Sequence, residues 1–303
     1  MRRARESHVL KTDILTVSCP SKRGIVAAIS TYLAENGCGI VDSSQFDDLE
    51  TATFFMRVSF VAEDGRSLAG IADGFADIAR AFAMTYAFHD SDARMKVMLM
   101  VSRFGHCLND ILYRWTIGTL PIDIVGVVSN HFDYQQLTMS HGIPFHHIKV
   151  TKDDKAAAEA QLVALVEQTG TELIVLARYM QVLSDDICRK MSGRIINIHH
   201  SFLPGFKGAK PYHQAHARGV KLIGATAHYV TADLDEGPII EQDTIRVTHA
   251  QSAEDYVAIG SDVESRTLAT AIHAHIHHRV MLNGDRTIVF PASPGSYAAD
   301  RIG

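Results

Sequence analysis

The first ninety residues alternate between short apolar runs and segments with helical spacing. Ile25, Ile29 and Leu33 recur at intervals of four, which predicts an amphipathic helix over residues 25–36. Runs rich in branched and aromatic side chains predict strands. The predicted elements are strand, helix, strand, strand, helix and strand, over residues 14–18, 25–36, 39–46, 53–61, 68–82 and 84–88. This β-α-β-β-α-β order is the ferredoxin-like arrangement, and we expect it to form one domain over residues 8–89.

After residue 93 the pattern changes to compact apolar strands separated by longer helical segments. The predicted strands cover residues 96–101, 122–128, 145–148, 172–177 and 194–198, and helices end near 117, 169 and 191. Ser184 is placed to cap the last of these helices. Such alternation predicts a Rossmann-like α/β fold with a mostly parallel sheet. Strands over 222–230 and 238–247, a helix over 261–282 and a strand over 287–290 complete a second domain, 94–290.

Ligands in sheets of this kind bind beyond the carboxyl ends of the strands. That rule gathers four segments around one crevice: 102–106, Asn130, 178–183 and 197–208. Within the last segment, Asn197 and His199 stand two residues apart at a strand end, so their side chains project to the same face. A carboxamide beside an imidazole is suited to polarising a carbonyl group. From these residues alone, ordinary hydrogen bonding to the loop backbone is an equal alternative.

The composition is that of an ordinary globular protein, with 303 residues, 47% hydrophobic and 21% charged. Lys and Arg total 29 against 34 acidic residues, and the net charge of −5 favours neither nucleic acid nor an anionic membrane as a partner. No apolar run approaches a spanning helix or a secretion signal, so we expect a cytoplasmic protein. The four cysteines are scattered without a CxxC pair, which predicts reduced, packed thiols.

Histidine is abundant, with 17 residues, and raises the question of a metal site. Three pairs have a spacing that zinc can use: His199 with His200, His213 with His216, and His273 with His277. No HExxH signature accompanies them, and no Cys or carboxylate cluster at metal spacing does so either. We therefore expect no metal and no permanently bound cofactor.

An Asn-x-His strand end and a Leu-Pro-x-x-x-Gly loop within 197–208, followed by Asp-x-Asp-x-Gly at 233–237, resemble the folate-dependent formyltransferase family. The resemblance covers about residues 95–290. By itself the acidic loop is more typical of a solvated turn, because Asp and Gly favour turns intrinsically. The resemblance implies that Asn197, His199 and Asp235 are the catalytic trio and that 10-formyltetrahydrofolate is the substrate. It also implies a pterin pocket lined by Met180, Gln181, Val182, Leu183, Gly208, Thr231, Ala232, Asp233 and Leu234.

The chemistry of formyl removal gives each member of this trio a role. A nucleophile that attacks the formyl carbon creates a tetrahedral intermediate with a negative oxygen, and donors aimed at that oxygen lower the barrier. Asn197 and a charged His199 are suitable donors. Asp235 would favour the charged imidazole and would orient or deprotonate the nucleophile.

The loop at residues 102–108 bears on the identity of the nucleophile. Glycinamide-ribonucleotide formyltransferases carry a glycine-rich loop here that holds a phosphate, whereas this chain has Ser-Arg-Phe-Gly-His-Cys-Leu. Water is therefore the expected acceptor, and His106 is a candidate for positioning it or, equally, for a helix-capping role. The implied reaction yields tetrahydrofolate and formate, which supplies purine synthesis and balances the one-carbon pool. A phosphoribosylglycinamide formyltransferase and a non-catalytic sensor of amino acids or folate are the alternatives.

Residues 17–28, Val-Ser-Cys-Pro-Ser-Lys-Arg-Gly-Ile-Val-Ala-Ala, resemble the opening of an ACT domain, a small module that often binds amino acids. The resemblance implies a glycine or methionine effector and pairing into a homo-oligomer, a dimer or a tetramer. Members of that family commonly carry Asp-Arg where this chain has Ser21-Lys22. A purely structural role in subunit pairing is the alternative.

Overall fold

The computed structural model describes residues 11–63, 66–151, 154–203 and 210–292. They divide into two compact units. The first unit contains 11–93 together with 277–281 and 288–292, and the second contains 94–276 and 282–287. The last residues of the chain therefore contribute to both units. Within the described residues, no helix combines the length and the apolar character needed to cross a membrane.

The first unit is a four-stranded antiparallel sheet with helices between its strands. Its elements are β1 (Asp13–Pro20), α1 (Ile25–Glu35), β2 (Cys38–Asp48), β3 (Thr53–Ala62), α2 (Leu68–Gly74), α3 (Ala76–Phe82) and β4 (Thr85–Asp90). The sheet order is β2-β3-β1-β4, and β1 lies between β3 and β4, antiparallel to both. The predicted order of strands and helices is confirmed, and Ile25, Ile29 and Leu33 are buried as the spacing predicted.

The helix predicted over 68–82 is interrupted at Phe75, so this prediction was wrong in detail. Phe75 is fully buried, and three aromatic rings meet it edge-on. The ring centroids lie 5.3 Å away for Tyr32, 5.0 Å for Tyr86 and 5.5 Å for Phe88. A break at this position serves the packing of one large side chain, which helical spacing alone does not reveal.

The second unit is built on a seven-stranded sheet of order β11-β10-β9-β8-β5-β6-β7. Its strands are β5 (Met95–Val101), β6 (Ile122–Ser129), β7 (Phe145–His147), β8 (Leu173–Leu176), β9 (Ile195–His199), β10 (Leu222–Tyr229) and β11 (Ile239–Arg246). The helices are α4 (His106–Thr116), α5 (Gln135–Ser140), α6 (Lys155–Thr169), α7 (Asp185–Lys190), α8 (Pro211–Arg218) and α9 (Ala253–Ile276). Strands β5 to β9 are mutually parallel, and only β10 pairs antiparallel to its neighbours β9 and β11 among the described strands of this sheet, which confirms the mostly parallel sheet.

The C-terminal helix differs from the prediction of 261–282. It runs over Ala253–Ile276, and two short strands follow it, β12 (Val280–Asn283) and β13 (Arg286–Val289), which form a two-stranded sheet. Gly284 has a φ of 60° in the turn between them. The dipeptide Asn283-Gly284 favours such hairpin turns, and this local signal outweighs the helical spacing of the preceding residues.

Two smaller expectations concern Ser184 and the cysteines. Ser184 occupies the N-cap position of α7, but its side chain makes no capping hydrogen bond, so the predicted cap was wrong in its mechanism. Its backbone N–H instead donates to Glu159 Oε1 at 2.8 Å. All four cysteines are free and buried, as predicted.

Candidate active site

A pocket of about 270 Å³ lies at the carboxyl ends of β8 and β9 and beside the loop that joins β10 to β11. This is the edge of the sheet where the strand order predicted a ligand. The predicted site residues that line it are Met180, Gln181, Val182, Leu183, Asn197, His199, Thr231, Ala232, Asp233, Leu234 and Asp235. Gly208 lies outside the described residues.

His199 and Asp235 form the central pair of the pocket. His199 ends β9, and its Nδ1 lies 3.2 Å from Asp235 Oδ2. The His199 side chain is 7% exposed, and its Nε2 is buried without a hydrogen-bond partner among the described residues. A buried nitrogen without a hydrogen bond destabilises the folded protein unless a bound ligand forms that hydrogen bond. The pair therefore holds one imidazole nitrogen in place and leaves the other for a substrate.

Charges around Asp235 favour its ionised form. The hydrogen bond from His199 lowers the pKa of the Asp235 carboxyl below its ordinary value, and this effect outweighs partial burial, which raises it. Asp235 is consequently a carboxylate at neutral pH, and an ionised carboxylate can only accept hydrogen bonds.

The loop that carries Asp235 has a demanding backbone. Asp235 has a φ of 57°, in the left-handed region that aspartate tolerates better than most residues. Two residues later, a Cβ on Gly237 would lie 1.8 Å from the carbonyl oxygen of Tyr229. The chain turns back closely enough for the Tyr229 N–H to donate to the Pro238 carbonyl at 2.9 Å. Glycine at this position is what lets the loop bring Asp235 to His199.

Asn197 is positioned by His228, a contact that the sequence analysis did not predict. The two residues face each other in the antiparallel pairing of β9 with β10. His228 Nδ1 lies 2.9 Å from the Tyr229 carbonyl oxygen, which can only accept, so Nδ1 carries the proton. Nε2 of the neutral ring therefore accepts a hydrogen bond from Asn197 Nδ2 at 3.2 Å. Burial lowers the pKa of His228, which keeps the ring neutral. The carboxamide orientation is therefore fixed, and its second N–H has no partner among the residues that the structure describes.

The segment that follows β8 is held by Ser102. The Ser102 N–H donates to the Arg178 carbonyl at 3.1 Å, and the Met180 N–H donates to Ser102 Oγ at 3.0 Å. Ser102 Oγ in turn donates to Asn130 Oδ1 at 2.7 Å. Of the four segments predicted around one crevice, 178–183 and the described part of 197–208 line the pocket, whereas 102–106 and Asn130 are not among its described lining residues.

His106, the candidate for positioning water, points to a different partner. Its Nε2 lies 2.8 Å from Oε2 of Glu264, a residue of α9 whose side chain is 1% exposed. His106 is not among the described residues that line the pocket. Arg178 and Tyr212 also contact Glu264, and Arg178 lines the pocket. The sequence offered no signal for this buried carboxylate.

One group of potential metal ligands occurs within the described residues: His106, Cys107 and Glu264, whose ligand atoms lie within 4.8 Å of one another. The Arg178 guanidinium Nε is 3.3 Å from Glu264, and a positive charge there opposes cation binding. Burial raises the pKa of the Cys107 thiol, which disfavours the thiolate that a metal requires. These donors do not suit a metal, and the histidine pairs considered from the sequence are not part of this group.

Comparison with known proteins places the chain within a family. The family described as formyl transferase matches residues 95–272. A formyltetrahydrofolate deformylase of Corynebacterium sp. (strain P-1) is 48% identical over 277 residues, which cover 91% of this chain and 97% of that protein. The crystal structure of the formyltetrahydrofolate deformylase from Burkholderia mallei is 54% identical, with a TM-score of 0.90, and the match covers 93% of this chain and 100% of that one.

A glycinamide ribonucleotide transformylase from Symbiobacterium toebii is similar to a smaller part of the molecule. It is 28% identical, with a TM-score of 0.61, and covers 65% of this chain and 95% of its own. The similarity to the deformylases, by contrast, extends over nine tenths of the chain. The chain therefore belongs to the formyl transferase family and, within it, to the formyltetrahydrofolate deformylases.

Proposed function

We propose that this protein hydrolyses 10-formyltetrahydrofolate to tetrahydrofolate and formate, with Asn197, His199 and Asp235 as the catalytic residues. The observation that carries the mechanism is that His199 Nε2 has no hydrogen-bond partner in the described part of the chain and lies in a pocket next to a fixed carboxamide and a charged carboxylate. Donors that are held in place before the substrate binds are what stabilisation of an oxyanion requires.

In the first step, water attacks the formyl carbon. Asp235 orients the water through a carboxylate oxygen and accepts its proton as the carbon–oxygen bond forms. The formyl oxygen becomes negative and receives hydrogen bonds from His199 Nε2 and from the second N–H of Asn197. The same aspartate holds His199 Nδ1, so one residue couples the orientation of the imidazole to the activation of the water.

In the second step, the tetrahedral intermediate collapses. The bond between the formyl carbon and N10 breaks, N10 takes up a proton, and formate leaves with tetrahydrofolate as the other product. The protonated Asp235 carboxyl is suited to return that proton, directly or through His199, because its pKa is low and it gives up a proton readily. These steps use side chains and water.

The folate is proposed to bind with its pterin ring against the segment after β8 and the acidic loop. The side chains of Leu183 and Val230 give this part of the pocket an apolar wall, and Met180 and Val182 present exposed apolar surface at its mouth. Burial of flat aromatic surface against such side chains is favourable. Gly208, Thr231, Ala232, Asp233 and Leu234 remain proposed contacts, as does Gln181.

The loop after β5 supports water as the formyl acceptor, because it does not offer a site for the phosphate of a second substrate. A Cβ on Gly105 would lie 2.2 Å from the Tyr134 ring, and the Tyr134 hydroxyl donates to the Arg103 carbonyl at 2.9 Å. An aromatic side chain therefore packs directly against the loop that would otherwise cradle a phosphate. His106 is engaged by Glu264 and is assigned a supporting role behind the pocket.

The N-terminal unit is proposed to be an ACT domain over residues 8–89, joined to a catalytic domain over 94–290. Its antiparallel sheet and its element order support this assignment. From the same resemblance we propose that the protein binds glycine or methionine as an effector and forms a dimer or a tetramer. We further propose that it is a cytoplasmic enzyme and that its formate supplies purine synthesis. Light scattering at micromolar concentration tests the oligomer, and a monomer would contradict it.

Formate release tests the proposed function directly. We expect steady formate production from 10-formyltetrahydrofolate by the wild-type protein and its loss in Asp235→Asn and in His199→Ala. Asp262→Asn makes the same chemical change as the first variant at an exposed position on α9 and should retain full activity. Unimpaired turnover in both site variants, with folding verified by circular dichroism, would refute the assigned mechanism.

A further inference from the structure

Two cavities share His200 as a lining residue. One is the reaction pocket, of about 270 Å³, and the other, of about 210 Å³, lies beside Phe202, Pro211 and Leu222. The His200 ring meets that of Tyr212 edge-on, with the ring centroids 6.3 Å apart, and Tyr212 lines the second cavity. We refer to His200 and Tyr212 together as the partition.

Glu264 holds the partition from behind. The Tyr212 hydroxyl donates to Glu264 Oε1 at 2.8 Å, while His106 Nε2 lies 2.8 Å and Arg178 Nε 3.3 Å from Oε2. Burial by itself would raise the pKa of Glu264, but the hydrogen bond from His106 and the charge of Arg178 lower it overall. The carboxylate is therefore charged at neutral pH and has both oxygens occupied. Charge-assisted hydrogen bonds of this kind are among the stronger ones in proteins.

Packing against α9 reinforces the position of Tyr212. A Cβ on Gly260 would lie 2.1 Å from the tyrosine ring, so the ring rests directly on the helix backbone. Gly260 and Glu264 are four residues apart and lie on the same face of α9. Glycine at the first position lets the ring approach, and glutamate at the second receives its hydroxyl.

Arg178 connects this network to the reaction pocket. Its side chain contacts Glu264 while the residue lines the pocket. It has a φ of 66°, an uncommon conformation for a non-glycine residue that surrounding contacts must maintain. One buried carboxylate thus ties the loop after β8 to the partition, and both border the place where the formyl group reacts.

We propose that Glu264 is a positioning residue that keeps the partition closed and so restricts the formyl acceptor to water. This inference rests on the proposed function. A primary amine needs room for its substituent beside the formyl carbon, and the second cavity would supply that room if Tyr212 moved. Water needs only about 30 Å³. The closed partition therefore selects the acceptor by size.

The two possible reactions differ only in the nucleophile. With water, the oxygen attacks the formyl carbon, the bond to N10 breaks, N10 takes up one of the two water protons, and formate leaves as the other proton passes to solvent. With a primary amine, the nitrogen attacks and loses a proton to Asp235, the same bond breaks, and an N-formyl amine leaves with tetrahydrofolate as the second product. Neither route requires an oxidant or a further reactant.

Glycinamide is a suitable probe because it is a small primary amine without charge on its amide end. Formate, tetrahydrofolate and N-formylglycinamide are measured for the wild type, Glu264→Gln and Tyr212→Ala over a range of folate concentrations that reaches saturation. Glu254→Gln is the matched control, since it makes the same change at an exposed position of the same helix. Circular dichroism checks the folding of every variant.

We expect only formate from the wild type and from Glu254→Gln. In Glu264→Gln, kcat for formate should fall about tenfold while KM for the folate stays within about twofold, because the pterin contacts are untouched. N-formylglycinamide should form in both network variants, and more in Tyr212→Ala, which removes one of the two rings of the partition. If Glu264→Gln does not fold, Tyr212→Phe replaces it, because that variant removes only the hydroxyl that Glu264 binds.

Wild-type kinetics and no N-formylglycinamide in the folded network variants would overturn the inference and leave the proposed function intact. A change in thermal stability without any change in kcat or in product would have the same meaning, because it would show a merely structural role. An absence of formate from the wild type would instead refute the proposed function.

Discussion

Asp235 and Glu264 are both carboxylates paired with a histidine, yet their surroundings differ. The Asp235 side chain is 21% exposed, and the second nitrogen of its histidine partner has no hydrogen-bond partner among the described residues. The Glu264 side chain is 1% exposed, and both of its oxygens receive hydrogen bonds. In the first pair an atom is left ready for a substrate. In the second, the polar atoms of the carboxylate are already satisfied.

This difference distinguishes Asp235, which takes part in the proposed reaction, from Glu264, which positions other residues. Both carboxyls have a lowered pKa, so charge alone does not distinguish the reacting group from the supporting one. The distinguishing property is His199 Nε2, which has no hydrogen-bond partner among the described residues and lies in a pocket beside Asp235. Substitutions of residues beside Asp235 should therefore lower kcat strongly while the protein stays folded. Substitutions of the residues that only position them should lower kcat less.

The largest effect is expected from Asn197→Ala. The substitution removes a fixed donor to the oxyanion, and loss of one such donor reduces kcat by about 10²- to 10³-fold. Formate release under saturating folate measures this effect. A fall of less than about tenfold would mean that Asn197 does not contact the developing oxyanion.

Gly237→Ala tests whether the backbone of the acidic loop places Asp235. The added Cβ would lie 1.8 Å from the Tyr229 carbonyl oxygen, so the loop must shift. Because displacement of a catalytic group by about 1 Å costs about 10²-fold, we expect a fall in kcat of that order. Gly39→Ala, at a strand position with no atom closer than 4.0 Å, is the control and should retain activity. Equal activity of the two variants would contradict the role given to the loop.

A smaller effect is expected from His228→Ala, because His228 acts through Asn197. Without its acceptor nitrogen, the carboxamide is free to rotate, and we expect kcat to fall about tenfold with KM nearly unchanged. His228→Gln, which offers a carbonyl acceptor on a flexible side chain, should recover part of the rate. A larger loss than in Asn197→Ala would instead indicate that His228 contacts the substrate.

The smallest effect concerns stability and pH. Burial lowers the pKa of both His200 and His275 to about 4, so the folded protein keeps them neutral where the unfolded chain binds protons. The free energy of unfolding should therefore fall as the pH drops from about 6.5 towards 4, by at most about 1.4 kcal/mol per pH unit for each histidine. The two carboxylates contribute in another window, since their stabilisation is lost only as the pH falls through their lowered pKa values, below 3.8 for Asp235 and below 4.5 for Glu264.

Urea unfolding at pH 7 and pH 5 separates these contributions. The free energy of unfolding should depend less on pH in this range in His275→Gln than in the wild type. In His249→Gln, at an exposed position, the dependence should be unchanged. An unchanged dependence in the first variant would show that His275 is not the source. Asp235→Asn is expected to leave the slope between pH 5 and 7 unaltered.

Elements with strong local patterns were predictable from the sequence, and the contacts between distant elements were not. The alternation of strands and helices was sufficient for the mostly parallel sheet and for the approach of the segments at its carboxyl edge. His228 escaped notice because its partner depends on the register of β9 with β10, which neither strand encodes alone. Glu264 lies 158 residues from His106, inside a long helix whose sequence carries no sign of a polar partner.

The most direct test of the central claim is the product ratio of the wild-type enzyme when an alternative acceptor is present. Formate, tetrahydrofolate and formylated glycinamide ribonucleotide are measured with and without glycinamide ribonucleotide. The account predicts one formate for each tetrahydrofolate under both conditions. Formation of the formylated ribonucleotide at a rate above that of formate would contradict it and would identify a transferase.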